Sequence, residues 1–411
     1  MAELFLLLYY FYCYHIVEGK KIKVTIYHSL LFSFFILLFI FGGYIFSVDA
    51  GVTLNIYVLL IGWGYFFLQF FLYSHLRVLG IRGAILHALS MCLISSLNLT
   101  PPLNPLILLY PFFSPLLPNS NFPILNLFIL YALPAFIFCR AMPLKKITCI
   151  LLLSVFGFSF SGQVVRENKS LKIAVIQVGL YFKKGGSTSD FFSDMMSFLN
   201  KNPTVDIIAF SENSVFTYKD KFNENLSESL LDNIYSNNLN QKFHFFIGFK
   251  GFKKINNIVT AYINKNDLIL NQKRVLIPFI EKKGLFNSQS ELLSEYFYVY
   301  KNINNRDVFI DGKLFSTSVC YDSLFPVFFS GKDKITIVQS NYHLLNNGYG
   351  YARLLKIGGV LSKFSTGINS LLVINIQDEG GTVVIDNNWN FDDAIFEESL
   401  SKPFFIIEHR Y

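Results

Sequence analysis

Charge is scarce in this sequence. Only 15% of the 411 residues are Asp, Glu, Lys or Arg, against about a quarter in an ordinary soluble protein. Cysteine is scarce too, with five in all, and no pair has CxxC or Cys/His metal-ligand spacing, which argues against a disulfide framework and a zinc site. The net charge is +7, yet there is no basic stripe. Lys and Arg are spread over loops beside apolar runs and through a mixed-charge region, so no nucleic-acid partner is expected. The first apolar run, Leu4 to Val17, lacks a basic leader, which excludes a cleaved signal peptide as an expectation.

The scarcity of charge is uneven. Residues before about 165 are nearly all apolar, and those after have ordinary globular composition. The expected organisation is a transmembrane domain over 1–162, a linker over 163–170 and a second domain over 171–411. Candidate spans are Ile26–Val48, Leu54–Leu76, Ala84–Leu99, Phe122–Cys139 and Ile147–Ser161, with Leu4–Val17 a shorter sixth. Leu106–Leu117, broken by Pro111 and Pro115, is too short to cross and is expected to be re-entrant or interfacial. Placing the basic loops Lys20–Lys23, Arg77/Arg82 and Arg140–Lys146 inside puts everything after about Gln163 on the extracytoplasmic side. One span would suffice as an anchor. Five to six suggest a further task, such as holding a lipid.

In the second half, short apolar β-rich runs recur between polar or Gly/Asn turns: 171–178, 205–210, 244–249, 258–263, 267–270, 314–319, 334–340, 370–376, 381–386 and 403–408. Continuous runs of this kind read as strands buried on both faces. Asp190–Asn200 and Leu226–Ser236 carry helical spacing. Strands alternating with helices, and several strands in succession, predict an α/β or α+β sandwich.

Three strand ends bear chemistry. Cys320, the only cysteine of this half, follows LFSTSV at a strand-to-turn junction where α/β enzymes place nucleophiles. By itself it also fits a buried, inert thiol. Glu212 follows VDIIAF and one serine, and fits either a general base or a solvated loop acid. Lys273 closes a strand, with Glu281 eight residues on. The joint occurrence of Glu, Lys and Cys at strand C-terminal ends favours a site, because ligands of α/β sheets bind there. A Cys–His arrangement is the rival. His244, His343 and His409 are the histidines of this half, and nothing in their spacing points to Cys320.

These stretches, KIAVIQ (172–177), FSEN (210–213), KRVLIPFIE (273–281) and VCYD (319–322), resemble the carbon–nitrogen hydrolase (nitrilase) superfamily, and in particular its membrane-embedded branch, apolipoprotein N-acyltransferase. The resemblance covers the second half, and KxxLxPFxE is its most specific part. It implies a nitrilase-like α-β-β-α sandwich behind a multi-span α-helical membrane domain. It departs from the family pattern in several places. Asp322 stands where the family has Glu, and Ile280 where it has Gly. SNYHLLNNGYG (340–350) replaces an Asn-Asp-x-Trp-Phe-Gly loop, no Arg-Ala-x-Glu helix is evident in RLLKIGGVLSKF (353–364), and PFFIIEHRY carries no C-terminal span.

The implied mechanism uses Cys320 as nucleophile, Glu212 as general base then acid, and Lys273 as cation for the tetrahedral oxyanion. Glu281 and Asp322 support the site. No metal or cofactor is required. An acyl group passes from a phospholipid to Cys320 and then to an amine, the N-terminus of a lipoprotein, in the inner membrane of a bacterium. The alternatives are a specialised relative that acylates another exported protein, such as a pilin or conjugal transfer component, a non-catalytic membrane scaffold, and a simple amidase or nitrilase.

Overall fold

A computed structural model describes residues 2–19, 21–45, 52–98, 100–114, 117–139, 170–212, 217–218, 221–222, 224–252, 255–265, 267–277, 306–331, 333–342 and 351–410. The Ile147–Ser161 span, Glu281, Ile280 and His343 lie outside them.

The apolar first half forms helices, as its long apolar runs predict: α1 (Ala2–Gly19), α2 (Ile22–Ile45), α3 (Val52–Leu76), α4 (Ile81–Ser96), the one-turn α5 (Tyr110–Phe113) and α6 (Pro123–Phe138). A 3-10 turn over Pro105–Leu109 precedes α5, so this Pro-broken stretch does not cross anything as a helix. The expectation of five to six spans is not supported by the described helices. Among the described residues one helix, Leu59–Leu79, is long and apolar enough to cross a membrane, while Lys23–Leu38, Ile81–Ser96 and Pro123–Phe138 are shorter apolar helices. At 1.5 Å per residue, the 16 residues of α4 or of α6 reach only about 24 Å against a hydrocarbon core of about 30 Å.

The second half holds two sheets. One has the order β13-β1-β2-β5-β6-β7, from β1 (Ser170–Ile176), β2 (Ile207–Phe210), β5 (His244–Phe252), β6 (Ile255–Asn264), β7 (Asp267–Gln272) and β13 (Phe404–Arg410). The other has the order β12-β11-β10-β9-β8, from β8 (Asp307–Ile310), β9 (Lys313–Val319), β10 (Ile335–Ser340), β11 (Leu372–Gln377) and β12 (Val383–Asp386). A two-stranded ribbon, β3 (Thr217–Tyr218) with β4 (Lys221–Phe222), stands apart. All ten predicted strands are present. The central ones, β2, β10 and β11, are buried at every position, which accounts for their unbroken apolar runs. The four-residue β8, half of it exposed, escaped the sequence reading because its apolar signal is too short.

Period-2 alternation divides the side chains between two faces. Ile173, Val175, Ile207 and Phe246 of the first sheet meet Phe315, Ile335, Ile337 and Ile374 of the second in the layer between them. On the first sheet's outer face, Ala174, Ile176 and Ile208 pack with Phe191, Met195 and Leu199 of the Phe191–Lys201 helix, and with Leu230 and Ile234 of the Glu224–Ser236 helix. The second sheet is covered by a Tyr351–Gly367 helix, where the sequence showed no family motif. The result is the four-layer α-β-β-α sandwich.

The two halves share one core. Leu355, Val360, Leu361 and Phe364 of the Tyr351–Gly367 helix join the buried residues of α1 to α6. Tyr110 packs on Phe364 and on Trp389, ring centroids 5.6 and 4.5 Å apart. Backbone joins them as well, Ser330 N donating to Asn121 O at 2.8 Å.

Candidate active site

The topology decides where the strand ends go. β1, β2 and β5 are parallel. β6 reverses the chain and β7 reverses it again, so β7 runs with β2. Glu212, two residues beyond β2, and Lys273, directly beyond β7, therefore emerge at the same edge. In the second sheet β9, β10 and β11 are parallel, so Cys320, Asn341 and Asp378 emerge together.

Cross-sheet hydrogen bonds bring those two edges to one end of the sandwich. Asn271 Nδ2 of β7 donates to Thr317 O of β9 at 3.1 Å. Gln339 Nε2 of β10 donates to Phe210 O of β2 at 2.7 Å. Each bond lies two or three residues before a candidate residue.

At that end Lys273 Nζ donates to Glu212 Oε1 at 2.9 Å, with Lys273 fully buried and Glu212 3% exposed. The second carboxylate oxygen, Oε2, accepts from the Asn341 backbone N–H at 3.1 Å. A charge pair this deeply buried is costly unless its geometry is good. It is a poor device for stability alone and a common one in active sites. Glu212 is thus no solvated loop acid.

Cys320 is 2% exposed and is the first residue of a 3-10 turn over Cys320–Leu324. Its φ is +43°, in the left-handed region. For a residue with a Cβ this costs roughly 1–3 kcal/mol and recurs where a side chain must be presented at a sharp strand-to-helix turn. The turn is held by Ser323, whose Oγ donates to Cys320 O at 2.7 Å and lies 2.7 Å from Ser362 Oγ of the covering helix.

Tyr342, two residues beyond β10, completes the group. Its buried hydroxyl lies in the electrostatic reach of Cys320, Glu212 and Lys273 together. Burial, the leading cause, holds it far above the ordinary tyrosine range. The sequence reading missed Tyr342, and its signal was present: it falls at the end of a buried strand, as the other site residues do.

Asp322 faces elsewhere. Its carboxylate accepts from Arg306 Nη2 at 2.7 Å, with Asp322 3% and Arg306 15% exposed. Arg306 was also missed, since it precedes the short β8. A further carboxyl, Asp378, sits behind Glu212. Its Oδ1 accepts from Ser211 Oγ at 2.7 Å and from Gly179 N at 2.9 Å, and burial pushes its pKa up to about 7.

His244 lies away from Cys320. His244 begins β5, opposite the start of β2, and its Nδ1 lies 2.8 Å from the Tyr262 hydroxyl, at the far end of the sheet from Glu212. Among the described residues, no group of three or more His, Cys, Asp or Glu side chains is placed to hold a metal ion.

Comparison with known proteins gives structural neighbours only. Over 58% of its length the chain is similar to a glutamine-dependent NAD+ synthetase from Acinetobacter baumannii, with 17% identity and a TM-score of 0.36, spanning 45% of that protein. It is similar to a carbon–nitrogen hydrolase from Helicobacter pylori over 58% of its own length and 89% of that chain, with 15% identity and a TM-score of 0.39. It is also similar to a nitrilase-superfamily member from Saccharomyces cerevisiae over 56% and 88% of the two chains, with 13% identity and a TM-score of 0.31. No family model matches the sequence and no curated protein matches it.

Proposed function

We propose that this chain is a thiol acyltransferase of the carbon–nitrogen hydrolase type, with Cys320 as nucleophile, Glu212 as general base and acid, and Lys273 as the cation facing the oxyanion. The observation that carries the reading is the buried Glu212–Lys273 pair at the same sandwich end as a strained Cys320.

Glu212 takes the thiol proton while Sγ attacks an acyl carbonyl carbon, and the carbonyl oxygen becomes an oxyanion opposite Lys273. The C–O bond to the leaving alcohol then breaks, and Glu212 returns the proton to that alcohol. In the second step an amine attacks the thioester carbon, Glu212 accepts the amine proton, the C–S bond breaks and the thiolate is reprotonated.

The acyl donor in this reading is a phospholipid. Support comes from the surroundings of the thiol: Cys320, Leu324, Phe325 and Tyr342 belong to the same continuous apolar core as α1 to α6. An acyl chain leaving a bilayer beside those helices would meet the thiol without crossing water. The helical half is read as membrane-embedded with several spans, and the sandwich as extracytoplasmic on the inner membrane of a bacterium. The acceptor is the amine of an exported protein, either a lipoprotein N-terminus or another exported chain such as a pilin or conjugal transfer component.

The test is direct. Purified full-length protein incubated with phospholipid and no acceptor should gain one fatty-acyl mass on the Cys320 peptide, removable by hydroxylamine and absent from Cys320→Ala. Failure to acylate across a range of phospholipids would sink the reading.

A further inference from the structure

Lys273 is the one side-chain donor so far assigned to the oxyanion, and it already gives a hydrogen bond to Glu212 Oε1. A second donor stands beside it. Tyr342 is 8% exposed overall, and its hydroxyl oxygen is buried without a hydrogen-bond partner among the described residues. Such an orphan is unusual, because a buried hydroxyl without a partner carries a desolvation cost of about 1–3 kcal/mol.

Its placement follows from the backbone. Asn341 N is fastened to Glu212 Oε2 at 3.1 Å, so Tyr342 starts one position along the chain from the Glu212–Lys273 pair. β10 lies between β9 and β11, with Val319 opposite Gln339, so the Cys320 turn flanks Tyr342 on one side. On the other, the Asn375 amide of β11 lies near enough to the hydroxyl to hydrogen-bond its oxygen as that oxygen gains charge, its Nδ2 having no other partner among the described residues. Asn375 Oδ1 is held by Gln377 Nε2 at 2.9 Å, which turns Nδ2 outward. Gly358 of the covering helix makes the room: a Cβ there would lie 3.1 Å from the tyrosine hydroxyl.

We propose that Tyr342 is a catalytic residue whose hydroxyl donates a hydrogen bond to the acyl carbonyl oxygen while Cys320 attacks, sharing the oxyanion with Lys273. The inference rests on the acyl-transfer reading above. Its chemistry needs a protonated phenol, and burial among Cys320 and Glu212 keeps the phenol in that form. No proton leaves Tyr342: the hydrogen bond strengthens as charge builds on oxygen and relaxes when the tetrahedral intermediate collapses.

The test uses full-length protein in detergent and two probes of the same thiol. The ester p-nitrophenyl butyrate reports acylation, which develops an oxyanion. Iodoacetamide reports alkylation at a saturated carbon, which does not. Tyr342→Phe should acylate Cys320 on the order of 10²-fold more slowly, with the loss in kcat and not in KM, an unchanged pH profile and a wild-type alkylation rate. Equal acylation rates in Tyr342→Phe and wild type would overturn the proposal. So would a parallel loss of acylation and alkylation, which would make Tyr342 a support for the thiol. If the wild type alkylates but accepts no ester, the acyl-transfer reading itself fails, and this inference with it.

Discussion

Replacing Asp378 by Asn should make the protein more stable above neutral pH and leave it unchanged in acid. Burial, reinforced by Glu379 and Glu212, raises the Asp378 pKa from 3.8 to about 7, against the lowering effect of the bonds from Gly179 N and Ser211. A raised carboxyl binds its proton more tightly in the folded state. Its contribution is therefore fully present below about pH 3.8 and is lost progressively as pH rises to about 7. At about 1.36 kcal/mol per unit, the span from 3.8 to about 7 is worth about 4 kcal/mol. Both hydrogen bonds are accepted by Oδ1, and an Asn carbonyl accepts them equally. The Asp378→Asn variant would keep the contacts and shed the charge. With about 2–4 °C per kcal/mol for a domain of this size, Tm at pH 8 should rise by about 8–16 °C. The assay is thermal unfolding of both proteins across pH 4 to 8. The difference should be near zero at pH 4, grow to about pH 7 and then level off. A difference that is flat with pH, or a variant less stable at pH 8, would refute the assignment of a buried charge.

Lys273→Ala leaves Glu212 buried without its cation, so a loss of about 3–5 kcal/mol in unfolding free energy is expected, along with a fall on the order of 10²–10³-fold in thioester formation by mass spectrometry. Asp322→Glu should keep the bond to Arg306 and wild-type acylation. Asp322→Ala should lose both that acylation and about 2–3 kcal/mol of stability in urea unfolding; wild-type behaviour in the Ala variant would show that the pair has no role. If the sandwich is extracytoplasmic, a C-terminal alkaline phosphatase fusion will be active and a cytoplasmic reporter at the same point silent. The opposite pattern would invert the topology.

The sandwich was legible because its strands are short, continuous and β-rich, and a strand buried on both faces has no polar positions to blur it. Cys320, Glu212 and Lys273 were legible as strand-end residues of types that do chemistry. The Tyr351–Gly367 helix was not, because its glycine pair lowers helix propensity. The fold explains the pair: a Cβ on Gly358 would press on Tyr342, and one on Gly359 would lie 2.6 Å from Val383.

Ten of the strands and the type of the candidate nucleophile were legible in local sequence, because alternation, β-branching and the placing of one thiol are properties of neighbouring residues. The partnership of Glu212 with Lys273, 61 positions apart, was decided only by tertiary structure. Two chain reversals through β6 and β7 return the lysine to the edge from which the glutamate emerges. The same holds for Arg306 beside Asp322, Asn341 on the Glu212 carboxylate, and Asp378 on Ser211. Each contact joins residues from different strands, and only the order and direction of strands in a sheet determine which ends meet.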